Sequence, residues 1–279
     1  MGFARCWGAR ASKRGQRLFF CSISSSSPVL HPSPLPLPLP PGAIDFISRH
    51  YDLSRVAFRG ASAGGLVVTL AACGVPAERA LTAAHELALV HDLFDRPLGA
   101  AGVFGRVVRD WLHDLLPADA MDRCRGGRLK LVVTPLRPLS LFAPATVDCF
   151  TTKEELVDAC LASAHVPFFL DGRPSASYRG RAYMDGSFQD FFTRGNSEAL
   201  ACGGGAYVLD YLHDTELETG RLDFLKLRDL DGARGLMATG AAYARRQMES
   251  GALDRHFSGV RLAGTDGLTG LSAPAAAGL

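Results

Sequence analysis

Val56-Ala57-Phe58-Arg59-Gly60-Ala61-Ser62-Ala63-Gly64-Gly65-Leu66, continuing through an apolar run to Cys73, is the stretch that decides how this chain is read. Val56 to Phe58 has strand character, and Leu66 to Cys73 is rich in good packers and bounded by Gly74 and Pro76. Between them stands Gly60-x-Ser62-x-Gly64. A strand that turns this abruptly into a buried helix needs glycine where the backbone crowds, and it pushes the serine out at the positive end of the helix. The Ala63 N–H then lies beside any oxyanion that develops on a carbonyl attacked by Ser62. Gly60, Ala63 and Gly64 are thus the elbow positions around a candidate nucleophile. The same pentapeptide also occurs as a glycine turn with an idle serine, and only the strand–turn–helix context separates the two.

Outward from the elbow, strands and helices alternate. Ala43, Ile44, Phe46, Ile47 and Tyr51 predict a short amphipathic helix before it, and Pro76 to about Asp92 predicts one after it. Val107, Val108, Trp111, Leu112, Leu115 and Leu116 share one helical face that Pro117 ends. Leu129 to Thr134 reads as an inner strand, because Val132 and Val133 favour extended backbone. Thr152 with Glu155 makes a capping box for a helix closed by Pro167. Arg181 to Met184 and Gly205 to Tyr211 are short strands, and Asp231 to Ser250 is a final helix. The pattern is that of an α/β protein with a mostly parallel sheet.

The chain has 279 residues with 47% hydrophobic side chains, enough for one large domain with a real core. Its 30 basic and 28 acidic residues are unevenly spread. Residues 1–44 hold Arg5, Arg10, Lys13, Arg14 and Arg17 and no acid, so the remainder is mildly acidic, which argues against a nucleic-acid partner. The 7 cysteines show no Cys-x-x-Cys pair and read as reduced thiols, with no metal site and no cofactor expected. No apolar run reaches the roughly 18 to 20 residues of a membrane span, the pattern of a soluble or peripheral protein. Residues 1–41 are expected to form a low-complexity or transit-like segment: Arg-rich, then serine-rich from Ser22 to Ser27, then a Pro/Leu alternation from Pro28 to Pro41. Residues 42–250 make the folded domain, and 251–279 a flexible tail.

A serine hydroxyl needs a base. Asp185 is the best single carboxylate, set by Tyr183-Met184-Asp185-Gly186 at a strand end where glycine lets the loop approach another backbone. A plain Asp-Gly turn is the ordinary alternative. Chain order equally permits a Ser–Asp–His triad in which His213 or His256 completes the set. His85, His91 and His113 lie on predicted helices without ligand spacing, Gly203-Gly204-Gly205 is expected to lead as a loop into a strand, and Arg245-Arg246 to lie on a solvated helix face.

Gly60 to Gly64 and Asp185-Gly186, with Asp52 to Arg59 before the elbow, Leu129 to Thr134, Ala162 to Phe169 and Tyr178 to Gly186 in order, resemble the patatin-like phospholipase family over about residues 42–250. The closest likeness is to the patatin-like acyl hydrolases of algae and other eukaryotes. The resemblance implies a three-layer α/β sandwich and a Ser62–Asp185 dyad that hydrolyses lipid acyl esters, of phospholipase or triacylglycerol lipase type, with no histidine required. It implies a lipid ester substrate and a peripheral membrane or lipid-droplet surface. It also implies an intracellular setting, cytoplasmic or lipid-droplet associated, or plastid or mitochondrial should residues 1–41 be a transit peptide. An ordinary carboxylate is a weak base for a serine hydroxyl, so the dyad needs a desolvated Asp185, for which Phe168, Phe169, Tyr183 and Phe188 are the candidate surroundings.

This chain departs from the family pattern twice. Ser187 follows Gly186 where the family has Gly or Ala. The family's first strand and glycine-rich oxyanion loop also precede the helix that here begins near Gly42, whereas Pro28 to Pro41 offers few N–H donors and no G-G-x-x-G pattern. The expectation is a sheet lacking its first strand and a site lacking that loop. Loss of one preorganised oxyanion donor costs about 3 to 4 kcal/mol, or 100- to 1000-fold in rate. A catalytically weakened or inert relative that binds lipid or a protein partner is therefore the alternative.

Overall fold

The computed structural model describes residues 17–20, 40–137, 143–188, 206–209 and 228–262. Strand β1 is Arg17–Phe20, four residues at the end of the Arg-rich start. Helix α1, Pro40–His50, takes its first turn from two prolines, which suit a position where the N–H has no partner. Strand β2, Ala57–Ala61, runs straight into helix α2, Ser62–Ala72. Helices α3, Ala77–Val90, α4, Phe104–Leu115, and α5, Ala120–Cys124, follow. Next come β3, Leu129–Pro135, and β4, Ala145–Val147, then α6, Lys153–Ser163. Strands β5, Ala176–Tyr178, β6, Arg181–Met184, and β7, Ala206–Leu209, precede helices α7, Leu230–Glu249, and α8, Ala252–Phe257.

Seven described strands form one sheet in the order β5-β6-β3-β2-β1-β7, with β4 also on β3. Its core is parallel, since β2 pairs with both β1 and β3, and β1 with β7. The β3–β4, β3–β6 and β5–β6 pairs are antiparallel. Helix α2 is apolar nearly all round and is buried from Leu66 to Leu70, so it packs as an internal helix against β2, β3 and α6. The core gathers Ile47, Tyr51, Phe58, Leu112, Leu129, Leu131, Leu156 and Phe257, all with almost no exposure.

Two boundaries differ from the expectation. The sheet does have a first strand: Arg17–Phe20 lies between β2 and β7, with Arg17 opposite Ala57 on one side and Ala206 on the other. Four residues are too few for a periodic signal, and partners on both sides supply the hydrogen bonds that make so short a segment a strand. Nor does a tail begin at 251. Leu253 and Phe257 of α8 are fully buried, and the Tyr51 hydroxyl donates to Asp254 at 2.7 Å. The backbone closes the junction through Asp52 N–H to Val260 O and Leu262 N–H to His50 O, at 2.6 and 2.9 Å. The rest of the expected tail, the segment 22–39 and Gly203 to Gly205 lie outside the described residues. Among the described residues no helix is long and apolar enough to cross a membrane, and no cluster of three metal-ligating side chains exists.

Candidate active site

No residue separates β2 from α2, so the chain must reverse direction within Ser62 itself, and Ser62 has a φ of 53°. A non-glycine residue in that region is strained and is held there by its surroundings. Gly60 makes the turn possible, because a Cβ there would stand 2.5 Å from the Gly64 carbonyl oxygen. The N-cap residue of α2, Ala61, makes no side-chain capping bond, so the N–H groups that follow Ser62, Ala63 first, stand at the positive end of the helix without a cap from it. The Ser62 N–H itself donates to the Ser163 hydroxyl at 3.2 Å.

Asp185 follows β6 and is 1% exposed. Its Oδ2 accepts the Ser62 hydroxyl hydrogen at 2.5 Å. Its Oδ1 accepts from the Ser187 N–H and the Ser187 hydroxyl, at 2.8 and 2.7 Å. The Asp185 N–H donates to His165 O, and its carbonyl accepts from Thr134 Oγ1, both at 2.8 Å. Gly186 lets this loop press onto β3, since a Cβ there would overlap the Val132 carbonyl oxygen. The Gly186 N–H donates to Ser163 O, and Ser163 Oγ donates to Val132 O at 2.7 Å. Ser163 therefore ties elbow, sheet and acid loop together from the end of α6.

Burial drives the Asp185 pKa above its ordinary value, against the opposing pull of the hydrogen bonds from Ser62 and Ser187 and the neighbouring His165. The result is a carboxylate more basic than one in water, already hydrogen-bonded to an alcohol. Such a pair can take a proton from the hydroxyl as its oxygen attacks a carbonyl carbon.

The structure thus brings Ser62 and Asp185 into direct contact with no imidazole between them, flanked by Gly60, Ala63, Gly64 and Gly186. His256, one of the two histidines considered, packs instead on the Tyr207 ring, 5.6 Å between centroids, while His213 lies outside the described residues. Desolvation of Asp185 does not come from Phe168, which is 66% exposed, and the Phe169 ring packs tilted against Phe104. Sequence reasoning missed Thr134, Ser163 and His165. All three are buried polar residues within otherwise apolar stretches, and that contrast was the available signal. A cavity of about 700 Å³ lies at the far end of α2 against Leu70, Val75, Trp111 and Met237. A smaller one of about 80 Å³ reaches Leu66, one turn from Ser62.

A family model described as patatin-like phospholipase matches residues 56–193, a span that holds the elbow, β3, α6 and the acid loop. Residues 56–193 are a patatin-like phospholipase domain. Both halves of the Ser62–Asp185 pair fall inside it. Proteins similar to this chain include the omega-hydroxyceramide transacylase of Mus musculus, 33% identical over 132 residues, or 47% of this chain and 21% of that protein. The omega-hydroxyceramide transacylase of Homo sapiens is 33% identical over the same length and is covered to 24%. The 1-acylglycerol-3-phosphate O-acyltransferase Pnpla3 of Mus musculus is 30% identical over 136 residues, 48% of this chain and 31% of that protein. The chain therefore spans between about a fifth and a third of the length of these relatives.

Proposed function

We propose that the patatin-like domain processes lipid acyl esters, of phospholipase or triacylglycerol lipase type, through a Ser62–Asp185 dyad. The observation that carries this reading is the 2.5 Å contact between Ser62 Oγ and the buried Asp185 Oδ2 at a strained elbow. Ser62 Oγ attacks the ester carbonyl carbon while its proton passes to Asp185. The tetrahedral oxyanion lies against the N-terminal N–H groups of α2. The C–O bond to the alcohol breaks, the alcohol leaves with the proton from Asp185, and an acyl-Ser62 ester remains. A second acceptor then repeats the sequence in reverse. Water gives a fatty acid, and a lipid hydroxyl gives acyl transfer, the reaction that the names of the similar proteins describe.

A fluorophosphonate probe should label the wild type and leave Ser62→Ala unlabelled. Asp185→Asn should lower ester turnover by about 100- to 10,000-fold, the usual worth of a positioned general base. Persistent labelling of Ser62→Ala sinks the proposal. A second reading, a relative that binds lipid without turnover, is favoured by one sequence observation: Cys21 to Pro41 contains no glycine from which to build a donor-rich loop. A folded wild type that neither takes the probe nor turns over a p-nitrophenyl ester supports that second reading.

A further inference from the structure

Seven large apolar side chains are exposed among the described residues, and five of them, Leu89, Val90, Phe94, Leu98 and Phe168, lie in just two segments. The first segment is the end of α3 and the turns after it, and the second is the turn after α6. The two are physically joined. Gly102 N–H donates to Phe169 O and Gly105 N–H to Leu170 O, both at 2.7 Å. Beneath them Ala88, Leu93, Ala100 and Val107 form a small satellite core against which Phe169 also packs. The exposed side chains thus stand on the outside of one hydrogen-bonded unit with its own small core. Val90 is 74% exposed, Leu98 73% and Phe168 66%, and Phe168 is held outward in a left-handed backbone conformation, φ 65°. A large aromatic residue in that conformation is uncommon and points to a constraint beyond folding. The turn bearing Phe168 starts at His165, whose carbonyl holds the Asp185 N–H, so the unit adjoins the candidate dyad.

Taking the proposed lipid-ester reading as its basis, we infer that this face seats the domain on a lipid surface and thereby presents Ser62 to ester bonds in that surface. Protruding apolar residues on turn tips beside a lipid-directed site fit an interface into which single side chains insert. The charges on the two segments select among surfaces. Asp92, Asp95 and Asp171 stand against Arg96 and Arg173, so the face has no basic excess to draw it to anionic headgroups. The partner is a zwitterionic or neutral lipid surface.

The test is flotation of the full chain with phosphatidylcholine vesicles. Wild type and Ser62→Ala should float alike, because seating precedes chemistry. The double variant Val90→Glu/Leu98→Glu should lose binding by roughly tenfold or more, the worth of one buried apolar anchor, with an unchanged melting temperature. Phe168→Asn should lose binding as well, and asparagine tolerates the left-handed backbone, so that loss does not come from misfolding. Equal flotation of wild type and variants overturns the inference. So does binding confined to phosphatidylserine-containing vesicles, or a wild-type dimer that Val90→Glu/Leu98→Glu dissolves in the absence of vesicle binding. A wild type that floats yet turns over no ester sinks the catalytic reading alone, whereas turnover without flotation sinks this one alone.

Discussion

At the scale of the residue, Ser187 is the side chain whose role changes most once the structure is known. In the sequence it is a small residue in place of the family's Gly or Ala. In the structure its hydroxyl and N–H both hold Asp185 Oδ1, which turns Oδ2 toward Ser62. Both bonds favour the charged carboxylate and so oppose the upward push of burial on its pKa. If Asp185 must be ionised to accept a proton, kcat/KM falls as pH drops through its folded pKa, so the acid limb should lie above the ordinary carboxylate value of 3.8. Removing one donor with Ser187→Ala should move that limb up by about one unit, since a hydrogen bond to a charged group and one pKa unit are of similar size. A pH–rate profile of both proteins checks this, and an unmoved limb counts against Ser187 as a positioning residue. The stability linkage has the opposite sense. A raised folded pKa means the contribution of Asp185 is fully present below its unfolded pKa and is lost as pH rises through the folded one, so the ionised dyad is held at some cost in stability.

At the scale of the element, α6 is the strut on which the site depends. Thr152 caps it by accepting the Glu155 N–H at 3.1 Å, as the sequence predicts. The return half of the capping box differs, because the Glu155 carboxylate reaches the Thr151 N–H and hydroxyl and takes an Arg179 hydrogen bond. That guanidinium contact, with the two Thr151 bonds, brings the Glu155 pKa down to about 2. The other end of the helix carries Ser163, which touches Ser62 N–H, Val132 O and Gly186 N–H. Loss of the cap with Thr152→Ala should cost about 1 kcal/mol, measured by urea denaturation. A cost near zero would show that tertiary packing alone sets the helix start.

At the scale of the whole molecule, β1 closes the parallel core. Without it β2 and β7 would face each other across an empty position, each with an unpaired edge. A proline in a strand paired on both sides removes a ladder donor and disturbs its neighbours. Leu18→Pro should therefore cost a few kcal/mol, a large fraction of the ~5 to 15 kcal/mol that stabilises a typical domain. Thermal unfolding followed by circular dichroism measures it. A variant as stable as wild type would show that Arg17–Phe20 is not needed to hold the sheet together.

The sequence by itself determined the elements with strong local signals. The elbow is legible because strand, glycines and apolar helix are contiguous, and α6 because Thr152 and Glu155 mark its start. The strand at Arg181–Met184 is bounded by its own turn glycines. It also singled out Ser62 and Asp185, 123 residues apart, and the family resemblance implied that they act as a pair. Only the tertiary structure decided that their oxygens meet at 2.5 Å, that Ser163, Thr134 and His165 surround them, and that Phe168 turns outward. It also decided that four residues near the start enter the middle of the sheet and that α8 is core. The physical reason is range: capping, turn and periodicity preferences act over a few residues. Strand pairing between Arg17 and Ala57 or Ala206, burial of a carboxylate, and the exposure of an apolar side chain depend instead on partners that local sequence does not contain.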